Sequence, residues 1–116
     1  MQTTIYGIAN CDTMKKARAW LGARAIDHAF HDYKRLGVDP AVLAAAVERF
    51  GWEKVLNRQG TTYRKLPEED RTGLDAPRAL ALMAAHPSTI KRPLLAHNEH
   101  IELGFDPQRY ETLFAR

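Results

Sequence analysis

The sequence predicts an α/β fold, a mixed four-stranded sheet with helices packed on it, and three observations carry that reading. A β-branched and aromatic run near the start is followed by a helical pattern and a second extended run, all within the roughly 30 residues of a βαβ unit. The middle of the chain then shifts to helix-period apolar spacing, with Asp-Pro starts and glycine stops. Two further extended runs flank a turn-like tetrad and precede a last amphipathic stretch, so the order is β-α-β, helices, then β-β-α.

Thr3, Thr4, Ile5 and Tyr6 read as the first strand, ending at Gly7. Met14, Ala17 and Leu21 recur at i, i+3 and i+7 with Trp20 beside them, which predicts a helix that Gly22 stops. Residues 28–32 form the second strand. Asp39 and Pro40 are an N-cap and a first-turn proline; Val42, Leu43, Ala46, Val47 and Phe50 make one apolar stripe, and Gly51 closes it. Residues 52–56 predict a shorter helix, and the polar, glycine-containing residues 57–67 a loop. Asp75, Ala76 and Pro77 start another helix with Leu80, Leu82 and Met83 on its apolar side, stopped at Pro87. Strands at 93–96 and 101–103 flank the tetrad His97, Asn98, Glu99, His100, and Asp106-Pro107 opens the last helix, with Tyr110, Leu113 and Phe114 on one face.

A chain of 116 residues with 45% hydrophobic content fits one domain with one core. A single cysteine rules out an internal disulfide framework, and Met1-Gln2-Thr3-Thr4 lacks the basic and apolar regions of a secretory signal, so a reducing cytoplasm is the expected home. No apolar stretch approaches the roughly 18 residues that cross a bilayer, so a membrane role has no support and none is expected. The formal charge of +3 is spread along the chain rather than gathered into a stripe, which argues against nucleic acid. The five histidines lack metal-ligand spacing with the cysteine or with one another, and no metal is expected.

The one cysteine, Cys11, lies where the first strand gives way to the first helix, the crevice at which such sheets bind ligands. Lys15 and Lys16 follow closely, although cations at a helix N-terminus are disfavoured by about 0.3–1 kcal/mol each. A broken local rule of this kind marks a candidate functional site. The free helix amides, the dipole and the lysines all favour thiolate, while Asp12 opposes it. A lowered thiol pKa raises the thiolate fraction but reduces intrinsic nucleophilicity, so its larger benefit is a sulfur that leaves readily from a mixed disulfide. With Met14 at the third position after Cys11 and no second cysteine, the thiol that performs that release must come from outside.

Five stretches, "YGIANCDTMKKAR", "HDYKR", "LNRQGTTYRKL", "IKRPLL" and "ELGFD", resemble in order the arsenate-reductase-like family that also includes the Spx regulators, most closely its YffB-like branch. The resemblance covers essentially the whole chain. It implies a thioredoxin-like fold in one domain, residues 1–116, with a helical insertion at about 38–87 between the second and third strands. It matches Cys11 to the family's nucleophile, Arg58 to an arginine of the leucine-containing loop, and Arg92 and Pro93 to an arginine preceding a cis proline. Arg58 and Arg92 are then forks for carboxylate or oxyanion, and Asn10 is a turn residue and thiolate donor.

The family's paired-cysteine members have a second cysteine where Met14 stands, which excludes an intramolecular switch. Arsenate reductases carry "HNPxC" and a further arginine in the last hairpin; this chain has "GIANC" and no arginine near Gly104 and Phe105. The expected activity is therefore a glutathione-dependent thiol reductase with a small anionic or disulfide substrate. It binds no cofactor, uses glutathione as thiol co-substrate, and has glutathione or glutaredoxin as partner. Glutaredoxin-coupled arsenate reduction and Spx-like binding to RNA polymerase are the alternatives, the latter less favoured.

Overall fold

The computed structural model describes residues 3–115. In chain order its elements are β1 (Thr3–Gly7), α1 (Asp12–Ala23), β2 (Ala29–Asp32), α2 (Tyr33–Leu36), α3 (Pro40–Phe50), α4 (Trp52–Val55), α5 (Thr61–Arg64), α6 (Glu68–Arg71) and α7 (Ala76–Ala85). A 3₁₀ turn at Pro87–Thr89 leads on to β3 (Leu94–His97), β4 (His100–Leu103) and α8 (Pro107–Phe114). These fall into two compact units: the chain up to His31 together with the chain from Arg92 onward, and Asp32–Lys91.

The first unit carries the sheet, a mixed one in the order β2-β1-β3-β4. β3 runs antiparallel to both β1 and β4, which leaves β2 and β1 as the parallel pair that a βαβ unit requires. Ile5 and Leu95 are register partners, so they share a face, and there they join Met14, Ala17 and Leu21 of α1 and Tyr110 of α8 in one buried cluster. Trp20, Phe105 and Phe114 ring Tyr110 with mainly edge-on contacts at 4.9–6.3 Å, a geometry aromatic quadrupoles favour. Burying six such side chains at about 1.5–3 kcal/mol for each large one makes this the main source of stability around the thiol. The fold is thioredoxin-like.

The second unit is helical. The predicted caps form: the Asp39 carboxylate accepts from the amides of Ala41 and Val42, and that of Asp75 from Arg78, each beside a first-turn proline. Leu43, Ala46 and Val47 of α3 pack toward α4 and toward Ala79, Leu82 and Met83 of α7. Gly51, at φ +87°, turns the chain between α3 and α4 in a conformation that favours glycine. The Val55 carbonyl accepts from Lys91 N–H at 2.8 Å and the Thr89 carbonyl from Asn57 N–H at 2.8 Å, so residues 55–57 and 89–91 are tied together within this unit.

Several elements depart from expectation for local reasons. Gly22 lies inside α1, and the stop comes later, where Ala25 at φ +53° lets the Leu21 carbonyl accept from Ile26 at 3.0 Å. Residues 57–67 contain the turn of helix α5, and α2 and α6 are single turns too short to show a period. Leu80 is only half-buried, and Ala79 takes the inward position. His97 and His100 are not turn residues: they are the last cross-strand pair, and the loop is Asn98-Glu99, with Asn98 at φ +55°. A two-residue hairpin with left-handed Asn matches the strand twist better than a four-residue turn would. Among the described residues no helix is long and apolar enough to cross a membrane.

Candidate active site

Cys11 is the N-cap of α1, with extended backbone angles (φ −149°, ψ 126°), and its carbonyl accepts the first helical bond from Lys15 N–H at 3.0 Å. Its own amide donates to the Ala9 carbonyl at 3.0 Å, which folds the loop tightly after β1. An N-cap side chain points toward the amides of the second and third helical residues, here Thr13 and Met14. The sulfur makes no conventional cap hydrogen bond, and these two amides act on it as weak donors. Cys11 is half-buried, and Ala9 and Asn10 before it are exposed, so the thiol is open on the loop side.

Arg92 and Pro93, joined by a cis peptide bond, lead into β3, beside β1 in the sheet. The Arg92 guanidinium reaches the Cys11 sulfur and acts on it by hydrogen bonding and by charge. Burial pushes the thiol pKa up; the Met14 amide, the Arg92 guanidinium and the Thr13 amide together push it further down, and the thiol lies below its ordinary value. The cation that sets this is Arg92 rather than Lys15 or Lys16, which are exposed on α1. No spacing in the sequence joins positions 11 and 92; the β1–β3 pairing does, which is why the predicted ligand fork was not also recognised as a thiolate partner. The Pro93 carbonyl accepts from Gly104 N–H at 2.8 Å, which ties this segment to the end of β4.

Of the other predicted residues, Asn10 lies exposed beside the thiol. Arg58 belongs to the helical unit, where it is exposed and its guanidinium stands 5.5 Å from the Trp52 ring centroid. Near the last hairpin, Arg109 pairs with Glu102 Oε2 at 3.0 Å and donates to the Leu103 carbonyl at 3.0 Å, so it is already engaged. Three histidines have local tasks: His28 Nδ1 meets the Ile26 carbonyl at 3.0 Å, the His31 ring packs tilted against Tyr6 at 4.9 Å, and His97 Nδ1 meets Thr3 Oγ1 at 2.7 Å. Among the described residues no three His, Cys, Asp or Glu side chains gather as a metal site would require.

Known proteins resemble this chain. The ArsC family model matches residues 6–113. A solved structure of the YffB protein is 46% identical, with 98% of this chain and 100% of that one covered at a TM-score of 0.95. The solution structure of an arsenate reductase (ArsC) related protein from Brucella melitensis is 51% identical over 100% of this chain and 97% of that one, with a TM-score of 0.73. The global transcriptional regulator Spx of Streptococcus pyogenes serotype M3 is 24% identical, covering 97% of this chain and 85% of its own.

Proposed function

Since this chain belongs to the ArsC family and is an arsenate-reductase-like protein, we propose that it is a cytoplasmic, glutathione-dependent thiol reductase working through the single nucleophile Cys11. The observation that supports this most is the half-open thiol held below its ordinary pKa by the Met14 and Thr13 amides and by Arg92. In the first step the Cys11 thiolate attacks the glutathione sulfur of a mixed disulfide; a Cys11–glutathione disulfide forms and the substrate leaves as thiolate. In the second, a glutathione thiolate attacks the glutathione sulfur of that adduct, releasing Cys11 thiolate and oxidised glutathione. Overall, a mixed disulfide and one glutathione thiolate give the substrate thiolate and oxidised glutathione: the substrate sulfur leaves with the electron pair of the bond that breaks, and the incoming glutathione sulfur supplies the pair of the bond that forms. Low pKa serves the second step above all, because Cys11 is then the leaving group. Arg92 holds a carboxylate of the bound tripeptide, and Asn10 and Pro93 border it.

Incubation of the reduced protein with oxidised glutathione, read by intact mass, tests this. One glutathione adduct on the wild type, none on Cys11→Ser, and loss of the adduct on adding glutathione are the expected results; an inert Cys11 overturns the reading. Likeness to the Brucella melitensis ArsC-related protein favours a second reading, arsenate as substrate with glutathione or glutaredoxin as reductant. It ranks lower because Arg109, near the last hairpin, is engaged with Glu102 and so supplies no further fork. The Spx relative favours a third, docking on RNA polymerase without a redox switch, which redox-independent recovery of polymerase subunits from a lysate would put first.

A further inference from the structure

The residue three places after the thiol is the one from which Cys-X-X-Cys proteins resolve their own disulfides. Here it is Met14, 1% exposed, its side chain turned away from solvent into the cluster formed by Ile5, Ala17, Leu21, Leu95 and Tyr110. Its seat depends on Gly7, the last residue of β1. A Cβ placed on Gly7 would collide with the Met14 sulfur and lie 2.9 Å from its methyl carbon, so no other residue fits there without displacing the thioether. The Met14 side chain therefore lies directly against the β1 backbone, while its own amide faces the Cys11 sulfur.

We infer that Met14 is a positioning residue for the nucleophile: its thioether, packed against Gly7, holds the first turn of α1 against β1 and so aims the Thr13 and Met14 amides at Cys11. A methionine suits this task because its unbranched, polarizable chain fills an irregular gap without rotamer strain. The same contact closes position 14 to solvent. The arrangement couples core packing to thiol chemistry. Shortening the side chain lets the turn settle, adding a Cβ at Gly7 pushes it off, and both moves take the amides out of line with the sulfur.

The inference rests on Cys11 being the nucleophile, and a test by alkylation keeps the two separable because it needs no glutathione. The rate of iodoacetamide reaction with Cys11 is followed against pH for the wild type, Met14→Ala, Met14→Leu and Gly7→Ala, with circular dichroism confirming folded protein. Met14→Ala and Gly7→Ala are expected to move the midpoint upward. For each unit of rise the thiolate fraction below the midpoint falls about tenfold, and the compensating gain in nucleophilicity leaves a net slowing of about threefold. Met14→Leu, of similar volume, should restore a profile near the wild type's. A folded Met14→Ala or Gly7→Ala with the wild-type midpoint overturns the inference, whereas a wild type with a low midpoint but no glutathione adduct overturns only the reductase reading. Should one variant fail to fold, the other decides.

Discussion

Arg92 acts on the Cys11 sulfur by hydrogen bonding and by charge. As a ligand fork alone its loss would leave Cys11 chemistry intact; as a partner of the sulfur it stabilises the thiolate directly. Arg92→Ala should therefore raise the pH midpoint of Cys11 alkylation toward the free-thiol value of about 8.5, measured as rate against pH. Arg58→Ala should leave that midpoint unchanged, because Arg58 is not among the groups that act on the sulfur. Tyr110 gives a prediction of opposite sign. Its ring is fully buried, its hydroxyl has no hydrogen-bond partner among the described residues, and burial followed by the nearby Glu102 charge drives its pKa up. An unsatisfied buried hydroxyl costs about 1–3 kcal/mol, so Tyr110→Phe should keep the ring packing and raise the unfolding midpoint in urea.

At the level of elements, the parts that could be read from the chain were those with a period or a cap. Met14, Ala17 and Leu21 reported the inner face of α1, and Asp39, Asp75 and Asp106 each cap the helix they were expected to start. One-turn helices such as α2 and α6 leave no period to read, and the end of α1 was set by Ala25 rather than by the nearer glycine. The hairpin is the instructive miss. His97 reads as a polar turn residue, yet it ends β3 buried, bonded to Thr3 and stacked on Phe114 at 4.5 Å, because pairing with β1 covers it. Burial, then the His100 charge, lowers its pKa, so the unfolded chain takes up this proton before the folded one does. Stability from neutral His97 is thus complete above the unfolded value of about 6.5 and is lost as pH falls from there toward the lower folded value. Urea midpoints measured from pH 7 down to pH 5 should fall, and His97→Gln should flatten that slope.

For the molecule as a whole, the family pattern of Cys11, Arg92 and Pro93 was legible as a list of residues, but the electrostatics that join two of them were not, since they arise only when β3 lies beside β1. The substrate ranking follows from the same accounting. Each charge-assisted bond missing from a tetrahedral oxyanion is worth about 1.5–3 kcal/mol, or roughly 10- to 100-fold in rate, whereas an extended tripeptide can spread its contacts. The wild type should reduce a glutathione mixed disulfide readily and arsenate poorly in coupled assays, with Cys11→Ser inactive in both; efficient arsenate turnover would reverse that order. The unit that holds the thiol is built from two stretches of chain separated by Asp32–Lys91. During synthesis Cys11 is thus made early, while the arginine that activates it and the strand that carries that arginine are made late. A nascent chain halted before Arg92 should alkylate as an ordinary cysteine, so reactivity is delayed until the sheet that controls it can assemble.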